Sequence, residues 1–211
     1  MELMQRVTSI VRDPTRTARA LRSAAPVVAA VLSVCPLHAA ASFSESWTRL
    51  VGTGADDDGG EVQVDAAGNV YVTGWSEGSL PGFTNAGGKD VFLAKYDPQG
   101  NEIWTRQFGS GLDDESFGLA VDAAGTVYVA GSTTGALQGQ ANAGSSDPAD
   151  PNRRDAFLVK YDTDGNRLWA EQFGGLGNDG AWDVVLDDAG DVYLSGGLDG
   201  GTFTLPGLPR S

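Results

Sequence analysis

The sequence predicts an all-β fold made of β-propeller blades, each a four-stranded antiparallel meander. Sequence blocks recur at spacings of 57 and 65 residues, and strand-sized apolar runs alternate with Asp-x-x-Gly turns. No helical period of ten residues or more follows Ser42. A repeated unit that yields several short strands is typical of propellers. We expect about two full blades plus partial blades, a fragment of a larger propeller.

The first 41 residues have the order of a secretory signal peptide. Residues 1–23 carry five Arg, the apolar run from Ala24 to Leu37 has 14 residues, and Ala39-Ala40-Ala41 precedes Ser42. A basic segment, a short apolar core and small residues at the cleavage site define such signals. A membrane-spanning helix needs about 20 apolar residues, so we expect no permanent membrane span here. We expect cleavage after Ala41, a signal peptide at 1–41, a repeat region at 42–211, and a secreted or cell-surface protein, the periplasm included.

Two other interpretations of the leader stay open. Four Arg fall on one helical face in a segment poor in acidic residues, which also suits an organelle transit peptide. The segment from Leu32 to Cys35 is similar to a bacterial lipoprotein box, although Val34 stands where that motif has Gly, Ala or Ser. A chain cleaved after Ala41 has no cysteine, so packing and strand pairing stabilise it without disulfides.

Three copies of a repeat follow the leader. Trp47 to Gly52 recurs as Trp104 to Gly109 and as Trp169 to Gly174. From the last residue of each block it is 13 residues to an Asp that opens a second shared block, at Asp65, Asp122 and Asp187. The units span about 47–103, 104–168 and an incomplete 169–211. An insertion around 145–152, rich in Asp, Pro and Ser, predicts a surface loop.

Each full unit contains four strand-sized runs. In the second unit they lie at about 116–122, 126–131, 155–162 and 166–173. Asp-x-x-Gly separates the first pair and the last pair of runs. Gly supplies the positive φ of a tight turn and Asp accepts hydrogen bonds from the turn backbone, so each pair predicts a hairpin.

These blocks carry a family resemblance. The segments 64–74, 90–101 and 104–109 resemble the bacterial SBBP-type β-propeller repeat, and the resemblance covers about 46–197. It implies multi-bladed propellers in exported and cell-surface proteins, with structural roles for the repeat residues and no assigned reaction in most members.

The number of expected strands is too small to close a propeller. We expect one outer strand, two full blades and the first two strands of a third, which makes eleven strands. Propellers close with typically four to eight blades. The chain therefore needs further blades in a longer chain, or self-assembly, to close the ring.

The amino-acid composition excludes several kinds of catalytic and metal site. Residues 42–211 carry 26 acidic and nine basic side chains, a net charge of −17, and contain no His, Cys or Met. Ser-His-Asp and Cys-His systems, imidazole or thiolate zinc sites and haem ligation are therefore excluded there. So acidic a surface repels phosphate backbones, which argues against nucleic-acid binding.

The clearest chemical pattern is an acidic loop leading into each blade. Asp57, Asp114 and Asp179 occupy the same repeat position, so a ring of carboxylates could hold Ca²⁺ at one mouth of the channel. The alternative, which we favour, is that Asp and Asn cap local backbone groups in turns. We expect no cofactor, with calcium as the one candidate ion.

Two tryptophans break the repeat pattern. Trp47, Trp104 and Trp169 recur beside Gly and predict packing between neighbouring blades. Trp75 and Trp182 have no Trp counterpart in the other units, so we name both as candidate ligand contacts, with a core role as the alternative for Trp182.

The functional hypothesis is a non-enzymatic, exported β-propeller scaffold that binds a protein or a carbohydrate. One alternative is part of a propeller enzyme, either glycan-active or quinoprotein-like, since the segment 161–169 is similar to the turn-and-Trp element of quinoprotein dehydrogenase blades. The other is a calcium-binding adhesion module. Abundant Asp supplies carboxylates for glycoside hydrolysis, but no pair stands out.

Overall fold

A computed structural model describes residues 27–34, 43–137, 153–197 and 199, with side chains from Trp47 onward. Its regular secondary structure consists of β-strands. The strands are β1 (Val27–Val34), β2 (Phe43–Val51), β3 (Asp57–Val64), β4 (Val70–Ser76), β5 (Asp90–Tyr96), β6 (Glu102–Phe108), β7 (Asp114–Val121), β8 (Val127–Thr133), β9 (Asp155–Tyr161), β10 (Arg167–Phe173), β11 (Gly180–Leu186) and β12 (Val192–Gly197).

The strands form two complete blades and two pairs. The first complete sheet has the order β3-β4-β5-β6 and the second the order β7-β8-β9-β10, all antiparallel, while β1-β2 and β11-β12 are two-stranded. The predicted four-stranded meander is therefore confirmed, and so are unclosed sheets. All four strands of the second blade lie within two residues of the expected bounds.

The expected total of eleven strands is wrong, because the described residues contain a twelfth. It is β1, which lies inside the expected signal peptide and pairs antiparallel with β2 over its whole length. An apolar run such as Val27–Val34 suits a strand as well as a leader, because β-branched and small apolar residues fit a pleated sheet. The rest of the expected leader, the insertion at 145–152 and most of residues 198–211 lie outside the described residues.

Each Asp-x-x-Gly segment forms the expected turn. Asp122 Oδ1 accepts hydrogen bonds from the backbone N–H of Ala124 at 2.9 Å and of Thr126 at 2.8 Å. Gly125 has a φ of 85°, in the left-handed region that favours glycine. The same hydrogen bonds recur at Asp65, Asp97, Asp162 and Asp187.

The core lies between neighbouring sheets. The largest cluster joins side chains of the first blade, such as Tyr71 and Leu93, to side chains of the second, such as Phe157 and Val159, and all four are fully buried. Burying one such side chain stabilises the fold by about 1.5–3 kcal/mol. Equivalent clusters join β2 to the first blade and the second blade to the β11-β12 pair. Stability therefore comes mainly from contacts between blades.

The repeated tryptophans make these junctions. Trp47 Nε1 donates to Pro98 O at 3.1 Å, and Trp104 Nε1 donates to Thr163 O at 3.0 Å. In both cases the acceptor lies in the turn that joins the third and fourth strands of the following sheet. The predicted packing role of Trp47 and Trp104 is confirmed. No helix of the described segments is long and apolar enough to cross a membrane.

Candidate functional site

The loops that lead into the sheets lie at the same end of the blades as the loops between second and third strands. Backbone hydrogen bonds join the two kinds of loop, from Glu77 N to Asp56 O at 2.8 Å and from Thr134 N to Asp113 O at 2.9 Å. We call this end, formed by residues 52–56, 77–89 and 109–113, the loop face. Asp57, Asp114 and Trp75, which the sequence singled out, lie on the strand ends next to it.

At the loop face, the three aligned aspartates each cap their own loop. The Oδ2 atoms of Asp57, Asp114 and Asp179 accept hydrogen bonds of 2.5–2.7 Å from the backbone N–H of the residue four positions earlier. Within the described part of the chain, no three or more His, Cys, Asp or Glu side chains come together as a metal site. This geometry agrees with the alternative in which each Asp caps backbone groups of its own turn.

Two carboxylates that the sequence did not connect meet beneath this face. Asp90 Oδ1 lies 2.3 Å, and Asp114 Oδ2 2.7 Å, from the point that a Cβ on Gly109 would occupy. Asp90 Oδ2 accepts from Ala86 N at 2.9 Å and from Gln107 Nε2 at 3.2 Å. Since Gly109 has no side chain, it leaves room for the two carboxyl groups to converge.

The remaining oxygen of each carboxyl lacks a donor. Asp90 Oδ1 and Asp114 Oδ1 are buried and accept no hydrogen bond from the described residues. The nearby Thr133 hydroxyl donates instead to Gly135 O at 3.1 Å. Burial raises the pKa of Asp114 to about 6 despite the hydrogen bonds from Ser110, which lower it, and the neighbouring Asp90 adds to the rise. Burial also raises the pKa of Asp90.

The arrangement repeats at the next blade. Asp155 Oδ1 and Asp179 Oδ2 lie 2.5 and 2.6 Å from the point that a Cβ on Gly174 would occupy. The sequence signal that could have revealed both pairs is the invariance of the glycine in each Trp-to-Gly block. A pair that recurs at two successive junctions has a structural role in the repeat.

Trp75 lies near the end of β4, next to the loop face, and contacts a network of charged side chains. The Nζ atom of Lys89 sits 3.9 Å above the centre of the Trp75 ring, a cation–π contact. Lys89 also forms an ion pair with Glu115, whose other oxygen pairs with Arg154. Burial raises the pKa of Glu115, but the hydrogen bonds from Lys89 and Arg154 outweigh this effect. The pKa of Glu115 is therefore lowered overall. One face of the Trp75 ring is therefore covered by Lys89, while this network joins the two complete blades.

Trp182, in contrast, is exposed. It is the residue that bulges out of the pairing between β11 and β12, and 61% of its surface is accessible. Burial raises the pKa of Glu61 on β3, and the charge of Asp183, the neighbour of Trp182, raises it further. Strands β3 and β11 thus bring two carboxylates into one region beside an exposed aromatic ring.

A groove of about 440 Å³ runs between the two complete blades on their outer side. Asp90, Arg106, Phe108, Tyr161 and Asn166 are among the side chains that line it. Arg106 is held in place by Nε donating to Gly165 O at 2.6 Å. Sequence reasoning missed this groove, because its two walls come from segments about 60 residues apart.

Comparison with known proteins supports the repeat assignment. Residues 46–81 and 103–137 match the SBBP β-propeller repeat family. Each match begins near the repeated tryptophan and continues through the first two strands of the following sheet. The resemblance seen in the sequence is therefore confirmed for these segments.

Two curated proteins are similar to this chain. The regulatory protein FlaEY of Caulobacter vibrioides is 32% identical over 120 residues, which cover 55% of this chain and 12% of that protein. An uncharacterized WD repeat-containing protein, L264, of Acanthamoeba polyphaga mimivirus is 26% identical over 152 residues, covering 64% of this chain and 11% of that protein. The chain thus aligns with about a tenth of the length of each relative.

Proposed function

We propose that this chain is a non-enzymatic β-propeller scaffold that binds a protein or carbohydrate partner. The repeat family match and the similarity to a regulatory protein and to a WD repeat-containing protein support a scaffold. The observation that carries the binding role is the outer groove between the two complete blades. It is concave and combines aromatic rings with a few convergent polar groups, as binding sites do.

The chemistry of the groove suits a polar ligand. Arg106 supplies donors, and Asn166 supplies both donors and an acceptor. Phe108 and Tyr161 supply apolar surface. A hydroxyl-rich sugar or a polar peptide segment provides complementary groups for this set.

A non-enzymatic role is favoured over catalysis because the unusual groups recur. The carboxyl pair at Asp90 and Asp114 has a counterpart at Asp155 and Asp179, and both pairs flank a repeated glycine. A catalytic pair is expected once in a protein and in an asymmetric environment that separates the two pKa values. Recurrence at successive junctions supports a role in holding the blades together.

Blocking the groove tests the binding role. The intact protein is first screened on arrays of oligosaccharides and of synthetic peptides, and the best probe is then titrated calorimetrically. Ala86→Trp places a large ring at the exposed mouth of the groove and should weaken binding at least tenfold. Ala124→Trp, on an exposed turn outside the groove, is the matched control and should bind as the unaltered protein does. Equal affinity of both variants would contradict the groove as the binding site.

We further propose export from the cytoplasm, supported by the order of charges, apolar residues and small residues in the first 41 positions. Removal of residues 1–41 would take away β1 and leave the mature chain beginning at β2. Amino-terminal sequencing of protein recovered outside the cytoplasm tests this proposal. The expected first residue is Ser42, whereas an intact Met1 on exported protein would contradict cleavage.

A further inference from the structure

The groove between the two complete blades carries positive charge on an otherwise acidic chain. Residues 42–211 hold nine basic side chains against 26 acidic ones, yet two of the nine, Arg106 and Arg167, line this groove. Among the described residues of the lining, Asp90 is the one acidic side chain, and it is 1% exposed. The accessible charged groups of the lining are therefore both positive.

Arg106 is held in place with part of its guanidinium group unused. Its Nε donates to Gly165 O at 2.6 Å. Its Nη1 donates to Thr105 O at 2.7 Å, and its Nη2 to Asp164 O at 2.9 Å. Each Nη atom carries two N–H groups, so one on each nitrogen has no acceptor among the described residues. Three main-chain carbonyls thus fix the guanidinium without neutralising its charge.

The hydroxyl of Tyr161 lies in the field of both arginines. Burial raises the pKa of Tyr161, and the positive charges of Arg167 and Arg106 act against that rise. The Tyr161 ring packs against Phe108, with 5.9 Å between ring centres. No hydrogen bond joins the Tyr161 hydroxyl to another described residue, so its O–H can donate to a ligand in the groove.

The preceding junction, where β2 packs against the first complete blade, lacks this excess of positive charge. Its tyrosine, Tyr96, corresponds to Tyr161 in the repeat. Burial raises the pKa of Tyr96, the charge of Glu102 raises it further, and Arg49 lowers it. Glu102 stands at the repeat position of Arg167. The second arginine is therefore a departure from the repeat, which indicates a role beyond the packing that the blades share.

Two guanidinium groups beside a phenol hydroxyl match a carboxylate, which accepts several charge-assisted hydrogen bonds at once. We propose that the groove binds a uronic acid, as a single sugar or within a short oligosaccharide, with its carboxylate held by Arg106 and Arg167. This inference rests on the binding role proposed above for the groove and names the class of its ligand.

The rest of the lining favours a sugar over a protein surface or an acidic peptide. Thr84 and Asn166 are exposed in the lining and offer neutral hydrogen-bonding groups to the hydroxyls that surround the carboxylate of a uronic acid. The Phe108 ring offers an apolar face to the C–H groups of a sugar. The volume of about 440 Å³ suits a small molecule, whereas a folded partner needs a far larger contact area.

The first test compares two ligands on the unaltered protein. Tetragalacturonate carries a carboxylate on every ring, and its fully methyl-esterified form is the neutral counterpart. In calorimetric titrations the ester should bind weaker by about tenfold or more, because it lacks the charge that the arginines recognise. Equal affinity for the two ligands, or binding of neither, would overturn the proposal.

The second test removes one guanidinium. Arg167→Gln should lower the affinity for tetragalacturonate by about tenfold or more and leave the affinity for the ester unchanged. Arg49→Gln is the matched control, since it removes the same charge at the preceding junction, and it should bind both ligands as the unaltered protein does. Undiminished binding of tetragalacturonate by Arg167→Gln would contradict the role of this arginine.

A blocked groove separates failure of this inference from failure of the binding role. If acid and ester bind equally and Ala86→Trp weakens both, the groove is a binding site but the carboxylate preference is wrong. If Ala86→Trp weakens neither, both proposals fail. Tighter binding of a tetraglutamate peptide than of tetragalacturonate would overturn the choice of a sugar. Near-ultraviolet circular dichroism verifies that each variant is folded, and the two ligands on the unaltered protein decide the proposal if a variant is not.

Discussion

The indole nitrogen of Trp104 in the first complete blade donates a 3.0 Å hydrogen bond to the carbonyl oxygen of Thr163 in the second. The Trp104 ring is 7% exposed and lies edge to face with Tyr71 at 6.2 Å between ring centres. This side chain therefore couples packing within one sheet to a polar contact with the next.

The first prediction concerns that contact. Trp104→Phe keeps an aromatic ring but leaves Thr163 O without its indole donor and opens a small void. We expect the free energy of unfolding to fall by about 1–3 kcal/mol. Urea denaturation followed by circular dichroism measures the change. Trp182→Phe, at the 61% exposed ring, serves as control and should change stability by less than about 0.5 kcal/mol.

The second prediction uses two glycines of one loop. A methyl group on Gly109 would lie 2.3 Å from Asp90 Oδ1, whereas one on Gly111 meets nothing within 4 Å. We expect Gly109→Ala to destabilise the protein by about 1–3 kcal/mol. The new methyl group would displace the carboxyl groups of Asp90 and Asp114 and weaken the hydrogen bonds that they accept. Gly111→Ala should leave the denaturation midpoint nearly unchanged. Equal midpoints for the two variants would show that the carboxyl pair tolerates displacement.

The third prediction is a pH dependence. Because the pKa of Asp114 is raised to about 6 in the folded state, the folded protein binds more protons than the unfolded chain between about pH 4 and pH 6. The contribution of this group to stability is thus present at low pH and is lost as pH rises through 6. From the shift, it amounts to about 3 kcal/mol at most.

A substitution isolates that contribution from other titrating groups. Asp114→Asn keeps an oxygen to accept from Ser110 N but carries no charge. We expect it to be more stable than the unaltered protein at pH 8 and nearly equal at pH 4, as measured by urea denaturation at both pH values. Greater stability of the unaltered protein at pH 8 would mean that the carboxylate is stabilised by charge interactions instead.

The fourth prediction concerns calcium. Since Asp57, Asp114 and Asp179 each accept hydrogen bonds from their own loops, we expect a chelator to leave the melting temperature nearly unchanged. Millimolar calcium should give a small shift that NaCl of matched ionic strength reproduces, because residues 42–211 carry a net charge of −17 and attract any cation. A bound ion would instead stabilise by about 2.7 kcal/mol at a hundredfold excess over Kd. A saturable shift abolished by Asp114→Asn would contradict this prediction.

The repeat made most of the fold predictable. Turn chemistry at Asp122 and Gly125, and alternation of apolar runs, define hairpins within a few residues of sequence. Their repetition defines the blades. The buried position of Trp104 was also predictable, because a large residue that recurs in every unit has a packing role.

The features that escaped prediction depend on contacts between units. Asp90 and Asp114 are 24 residues apart and meet only when one blade packs against the next. Lys89 covers Trp75 for the same reason, although its sequence neighbours suggest an ordinary exposed loop. Strand β1 was missed because an apolar run of its length is equally suited to a leader, and composition alone does not distinguish the two.

The acceptor for the indoles of Trp47 and Trp104 is a main-chain carbonyl, at Pro98 in one unit and at Thr163 in the next. Every residue type carries that oxygen, so the turn can change its side chains during evolution without losing the contact. A duplicated unit brings its own tryptophan and its own carbonyl, and a deleted unit removes both. In either case the units that become neighbours can form the same junction. Genes that encode such repeats can therefore gain or lose whole blades by recombination, with little need for compensating mutations.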